Sequence, residues 1–157
     1  MRILVVSDSH GRTREIEKAI DAHKDAKHVF FLGDCVRDVE DLPFIYPDRT
    51  FYIVSGNCDY SSVYKSVDMT VLEGKRILFT HGHMYSVKNG LSILKNKAQT
   101  ENFDIVLYGH THIAATEYAD GVHFVNPGSL CSAREGSTGY AVIDIEKGGI
   151  MPILIKT

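Results

Sequence analysis

Residues 3–10 read Ile3-Leu4-Val5-Val6-Ser7-Asp8-Ser9-His10. Four aliphatic residues with no polar interruption form the pattern of a strand buried on both faces, inside a sheet covered by other layers. The run stops at a polar turn carrying a carboxylate and an imidazole. The same arrangement recurs downstream. Val29-Phe30-Phe31-Leu32 leads into Gly33-Asp34, and Phe51-Tyr52-Ile53-Val54 leads through Ser55 into Gly56-Asn57-Cys58-Asp59. Ile77-Leu78-Phe79-Thr80 leads into His81-Gly82-His83, and Ile105-Val106-Leu107-Tyr108 into Gly109-His110-Thr111-His112. Each of these strands delivers metal-binding residue types to its end, where loops converge.

Between the strands, Ile16, Ala19, Ile20 and His23 recur at helical spacing. A short helix is expected over Val36 to Phe44, stopped near Pro43 and Pro47. Val87, Leu91, Leu94 and Ala98 mark an amphipathic helix, for which Ser86 is the expected N-cap. Val67 to Leu72 and Arg76 to Phe79 flank Glu73-Gly74-Lys75, the signature of a hairpin. The remainder is β-rich, at Ala115 to Tyr118, His123 to Val125, Tyr140 to Ile145 and Ile150 to Ile155. The chain is read as one α/β domain over residues 1–157, with two packed mixed β-sheets flanked by helices.

Composition narrows the function. The 157 residues are 44% hydrophobic and 24% charged, ordinary for a globular protein, with a formal charge of -3 and no Lys/Arg block. Nothing steers the chain onto a nucleic acid polymer or an anionic membrane. A phosphate-bearing substrate is still compatible if bound cations reverse the local field. Three cysteines, Cys35, Cys58 and Cys131, form no CxxC pair, which points to a reducing compartment. The apolar start spans only four residues before Ser7, too short for a signal-peptide core, so a cytoplasmic location is expected.

Singly, each cluster has a bland alternative. Asp8 and Asp34 could be turn residues, and Gly56-Asn57 a tight turn. Together they form an oxygen- and nitrogen-rich set suited to two divalent metals rather than a structural zinc. Asp8 and His10, like His81 with His83 and His110 with His112, are two apart, so an extended backbone points both side chains the same way. Asp34 has two oxygens and can bridge two ions. Asn57 is a neutral donor that limits negative charge and leaves the metals electrophilic. Asp59 is read as orienting a neighbour. Five of the eight histidines fall in these clusters; His23, His28 and His123 read as surface or packing residues.

In this order the clusters resemble the calcineurin-like metallophosphoesterase superfamily, and in particular its small single-domain phosphodiesterases. The family pattern is Asp-x-His, Gly-Asp, Gly-Asn-His-Asp/Glu, a histidine among small residues, then Gly-His-x-His. Here it runs from Asp8 to His112, and Asn126-Pro127-Gly128-Ser129 extends the likeness. The resemblance implies a four-layer sandwich. It implies one metal on Asp8, His10, Asp34 and His112, and a second on Asp34, Asn57, His81 and His110. His83 is assigned to the substrate or to support of a ligand. Two ions about 3.5–4 Å apart would activate a hydroxide for in-line attack on phosphorus. Mn2+ is the first expectation, with Fe, Zn, Ni or Co compatible with the same donors.

Cys58 stands where much of the superfamily has a histidine that assists the leaving group. A thiol is a weak hydrogen-bond partner, so aryl leaving groups are expected to be cleaved better than alkyl ones, unless His83 supplies the acid. Arg134, after the Gly/Pro turn, either grips a phosphate oxygen or is a solvated loop arginine. The leading reading is a metal-dependent phosphodiesterase acting on small aryl or nucleotide-like diesters. A phosphomonoesterase is one alternative, and a non-catalytic metal-binding scaffold of the same fold is another. The β-rich C-terminal third and the Val36–Pro47 segment offer apolar surface for a homo-oligomer.

Overall fold

The computed structural model describes residues 1–157. In chain order the first elements are β1 (Arg2–Val6), α1 (Thr13–Ala22), β2 (Ala26–Phe31), α2 (Leu42–Ile45) and β3 (Thr50–Ile53). The hairpin β4 (Val67–Leu72) and β5 (Lys75–Thr80) follows, then α3 (Ser92–Thr100) and β6 (Ile105–Leu107). Strands β7 (Ala115–Ala119), β8 (Val122–Asn126), β9 (Gly139–Glu146) and β10 (Gly149–Lys156) complete the chain. They form two five-stranded mixed sheets, ordered β10-β9-β1-β2-β3 and β4-β5-β6-β8-β7. Strands β1, β2 and β3 are mutually parallel, as are β5, β6 and β8, and the flanking strands are antiparallel.

The unbroken apolar runs arise because both faces of the central strands are covered. In β1, Ile3 and Val5 face the other sheet and pack with Phe30, Ile77, Phe79, Ile105 and Ile143. Leu4 and Val6 face outward onto Ile16, Ala19 and Ile20, the buried stripe of α1. On the second sheet, Leu78, Val106 and Phe124 pack against Leu94 and Ala98 of α3. The layers are therefore helix, sheet, sheet, helix. At the centre Phe30 stacks on Tyr52 with ring centroids 4.5 Å apart and meets Phe79 edge-on at 5.2 Å.

Two helix expectations need correction. Val36 to Phe44 is not one helix: a 3-10 turn covers Val36–Asp38, and α2 begins afresh at Leu42. Pro43 lies in the first turn of α2, where a missing N–H costs nothing, so it does not act as a stop. Cys35, at φ +75°, and the Asp59 carboxylate, which takes the Val36 N–H, hold the segment in a turn. Ser86 does not cap α3 either. Its own φ is +52°, its side chain caps nothing, and a 3-10 turn over Val87–Asn89 precedes α3.

The three unclustered histidines pack. His23 meets the Tyr140 hydroxyl at 3.0 Å, His28 the Tyr52 hydroxyl at 3.2 Å, and His123 tilts against Tyr118. Burial lowers the pKa of each. No helix is long and apolar enough to cross a membrane.

Phe30→Ala is expected to cost about 3–5 kcal/mol in urea unfolding, by opening a cavity between the sheets. Phe44→Ser, at a residue 84% exposed, should stay within about 0.5 kcal/mol of the parent. A second expectation follows from the packed histidines. Their folded pKa values lie below the unfolded ones, so the unfolded chain binds more protons as pH falls below about 6.5, and stability drops. The loss in urea midpoint between about pH 7.5 and 5.5 should therefore shrink in the His23→Asn/His28→Asn double variant. An undiminished loss would assign the pH dependence to other groups.

Candidate metal centre

The parallel strands of both sheets end on the same side of the molecule, and the loops leaving them meet there. Ser7–His10 follows β1, Gly33–Asp34 follows β2, and Gly56–Asp59 lies beyond β3. His81–His83 follows β5 and Gly109–His112 lies beyond β6, at the carboxyl ends where open α/β sheets place ligands.

The seven predicted ligand residues are brought together in two overlapping groups. Donor atoms of Asp8, His10, Asp34 and His112 all lie within 4.8 Å of one another. His112 Nε2 is 3.0 Å from Asp8 Oδ1, and His10 Nε2 is 3.7 Å from Asp34 Oδ2. The second group surrounds the fully buried His81. Its Nε2 lies 3.1 Å from Asn57 Oδ1, 3.1 Å from His110 Nδ1 and 3.5 Å from Asp34 Oδ2. One Asp34 oxygen thus faces both groups.

The imidazoles are oriented from behind. His81 Nδ1 lies 2.8 Å from the Leu32 carbonyl and His112 Nδ1 2.9 Å from the Ser132 carbonyl, and a proton on Nδ1 satisfies each contact. In that tautomer each ring turns a bare Nε2 toward the centre, the arrangement usual for metal-binding histidines.

The electrostatics call for a cation. His81 Nε2, Asn57 Oδ1, His110 Nδ1 and Asp34 Oδ2 converge, and with the His81 proton on Nδ1 and the His110 proton on Nε2 no N–H or O–H lies between them. Burial, followed by the nearby His81, lowers the pKa of His110 to about 4, which keeps its ring neutral at pH 7. Asp8 is wholly buried, and its Oδ1 has no hydrogen-bond partner of good geometry. Burial opposes its charge, yet His112, His81 and the Ser7 hydroxyl outweigh burial and hold its pKa below the usual value. The Asp8 contact in turn raises the pKa of His112. A proton is one cation that reconciles the two facing lone pairs; a divalent metal is another. The donor set fits such ions: carboxylate, amide oxygen and imidazole, with no thiolate.

The side chains do not converge by strand alternation. Asp8, His10, Asp34, His110 and His112 have φ of +53°, +44°, +61°, +69° and +59°. Left-handed turns aim them, a strain that accumulates where function over-determines the backbone. His83 begins a 3-10 turn after Gly82, its ring 5.4 Å from that of His81 and its Nδ1 buried without a partner. Burial lowers its pKa.

Asp59 hydrogen-bonds to none of the predicted ligand side chains. Its carboxylate accepts the backbone N–H groups of Asp34, Cys35, Val36 and Gly56 at 2.7–2.9 Å, fixing two ligand loops at once. Cys58 donates its backbone N–H to Asp34 Oδ1 at 3.0 Å, and its thiol lies 3.5 Å from Asn57 Nδ2. Desolvation of the thiol, followed by the Asp34 charge, pushes it up to about 11, although the residue as a whole is exposed. Arg134 is exposed on the wall of a separate cavity, its backbone N–H bonded to the His112 carbonyl at 3.2 Å.

Several supports have no role in the sequence reading. Ser7 Oγ donates to Asp8 Oδ2 at 2.5 Å, and Ser129 Oγ donates to the Asp8 carbonyl at 2.8 Å. Buried Asn126 donates to the Gly109 carbonyl and the Thr111 hydroxyl, bracing the His110–His112 loop. The signal available for these was the Asn126-Pro127-Gly128-Ser129 turn. Gly56 and Gly109 allow the closest approaches: a Cβ on Gly56 would lie 2.1 Å from Asp34 Oδ1, and one on Gly109 2.2 Å from Ser7 Oγ.

Comparison with known proteins agrees with this geometry. The chain is 30% identical over 148 residues to the probable metallophosphoesterase YsnB of Bacillus subtilis, covering 93% of this chain and 85% of that protein. It is 26% identical over 172 residues to a phosphodiesterase of Methanocaldococcus jannaschii, covering 99% and 100% of the two chains. The fold is shared with Vps29 of Entamoeba histolytica complexed with Zn2+, at a TM-score of 0.75, 18% identity and coverage of 98% and 97%. The profile of the calcineurin-like phosphoesterase superfamily domain matches residues 1–148, and the chain belongs to that superfamily.

Proposed function

We propose that the protein is a metal-dependent phosphodiesterase acting on small aryl or nucleotide-like diesters at a centre of two divalent ions. The observation that carries this reading is the crowding of acceptors within 3.5 Å of His81 Nε2, beside a second group around Asp8 and sharing Asp34 with it. Asp8, His10, Asp34 and His112 would hold one ion, and Asp34, Asn57, His81 and His110 the other. Mn2+ is the first candidate. Such ions, when bound, acidify water toward neutrality and neutralise phosphoryl oxygens.

The chain's own residues supply order and polarity. Leu32 and Ser132 carbonyls fix two imidazole tautomers, and Asp59 locks the Asp34 loop to the Asn57 loop. Asn57 contributes an uncharged donor, so the shell carries only the Asp8 and Asp34 carboxylates. His83 stands beside the second group as a neutral base or acid. Cys58, protonated at neutral pH, offers only a weak donor to a departing oxygen. The phosphodiesterase name of the archaeal relative supports a diester substrate over a monoester. The Vps29 likeness bears on fold alone; a non-catalytic metal-binding role is the outcome that the following assay would reveal.

After chelation and Mn2+ restoration, a bis-aryl phosphate should be hydrolysed faster than the matched monoester. Asp34→Asn should lower that rate by more than the ~10–100-fold typical of losing a residue that merely supports a ligand. Circular dichroism should show the variant folded. Tightly bound metal with no turnover of either ester would instead favour the scaffold. A second expectation concerns the leaving group. Aryl diesters should be cleaved far faster than alkyl diesters, and Cys58→His should narrow the gap. Comparable aryl and alkyl rates in the parent protein would refute the role given to Cys58.

A further inference from the structure

Two cavities flank the candidate centre, and their charge differs. The one beside Cys58 and Asp59, about 500 Å³, sets Arg37 against Glu40 and so carries mixed sign. The other, about 340 Å³, is walled by Val87, Tyr108, Thr111 and Ile113, with Lys88 and Arg134 on its lining and no acid. Thr111 belongs to the loop that carries His110 and His112, so this second cavity lies against that loop. Lys95 and Lys97 are paired with Glu117 and Glu101, whereas Lys88 and Arg134 take part in no salt bridge. Glu117, the acid whose charge bears on Tyr108, is held by Lys95. Arg134 is anchored to the same loop through its backbone N–H on the His112 carbonyl. Two cations without partners over an apolar wall suit a group that is planar or aliphatic in its body and anionic at its end.

We propose that this cavity receives the second arm of the substrate, and that this arm ends in an anionic group held by Lys88 and Arg134. The inference rests on the phosphodiesterase reading and names its substrate class: a diester carrying a further carboxylate or phosphate-type charge away from the scissile phosphorus. It gives Arg134 a partner other than the scissile phosphate, and it gives Lys88 a role that sequence alone did not suggest.

The test uses Mn2+-restored protein and three diesters sharing a p-nitrophenyl leaving group. Their second arms are phenyl, 4-carboxyphenyl and 4-(phosphonomethyl)phenyl. The charged arms should have a KM about tenfold below that of the phenyl arm, the size of one charge-assisted contact. Preference for the carboxylate or for the phosphonate identifies which anion fits. Lys88→Ala and Arg134→Ala should each erode the ratio of KM values, and Lys88→Glu/Arg134→Glu should invert it. Lys24→Ala, a distant exposed lysine, should leave it intact. Equal KM values for all three arms, or a ratio that survives both alanine variants, would overturn the inference. Binding separates this failure from failure of the parent reading. Calorimetry with 4-carboxyphenylphosphonate and its carboxyl methyl ester requires no turnover. Tighter binding of the acid, lost in the alanine variants, would support the cavity even if no diester is hydrolysed; equal binding would overturn it.

Discussion

The centre depends on an electrostatic constraint: too many lone pairs occupy too little space. Around His81 Nε2, an amide oxygen, a second imidazole nitrogen and a carboxylate oxygen stand within 3.5 Å. Nearby, Asp8 Oδ1 is buried without a well-formed hydrogen bond. In a low-dielectric interior such a cluster is expensive unless positive charge is shared among its members. The surrounding structure can be understood as what keeps these groups from relaxing apart. Asp59 gathers four backbone N–H groups, Asn126 and Ser129 brace the loops from behind, and the absence of side chains at Gly56 and Gly109 lets backbone press on Asp34 and Ser7.

That preorganisation needs a rigid base, and the sheet pair provides it. One apolar cluster spans both sheets, with Ile3, Val5 and Phe30 from the first against Ile77, Phe79 and Ile105 from the second. Asp8 and Asp34 ride on the first sheet, His81 and His110 on the second. The centre is therefore a seam, and any shift of one sheet over the other would separate carboxylates from imidazoles. Close packing between the sheets thereby becomes a condition for metal binding as well as for stability.

The strands and their order along the chain were legible because β1, β2, β5 and β6 are covered on both faces and so appear as uninterrupted aliphatic or aromatic runs. The grouping of the seven predicted ligand residues was legible through the same punctuation, since each cluster closes such a run. The way they converge was not. Spacing by two suggested extended alternation, whereas Asp8, His10, His110 and His112 are turned by left-handed backbone. A local conformation imposed by long-range bonds, such as the Asp8 N–H to the Gly33 carbonyl, leaves no mark on neighbouring residues. Ser86 failed as a cap for a related reason. The chain spends Val87–Asn89 on a 3-10 turn that buries Val87 against Gly82, and α3 starts only beyond Gly90. Asn126 and Ser129 were visible as a turn, but their work on the Asp8 and His110 loops depends on contacts across the sheet that no periodicity encodes.

Charge also explains how a chain of net -3 can suit an anionic substrate. About half of its cations are held in ion pairs with acids, including Lys27 with Asp48, Lys65 with Asp68 and Lys95 with Glu117. Such pairs contribute little to stability and cancel one another at a distance longer than about 8–10 Å in physiological salt. Attraction of an anion must then come from groups whose charge is uncancelled close to the centre. Lys88 and Arg134 meet that condition on one flank, while Arg37 on the other shares its cavity with the acids Glu40 and Asp59. A metal pair would add strong attraction for the phosphoryl group itself, with no preference for what the ester's other arm carries. Discrimination among phosphoesters has to come from the walls, and the asymmetry of these two flanks gives the centre a direction with respect to the substrate's other arm.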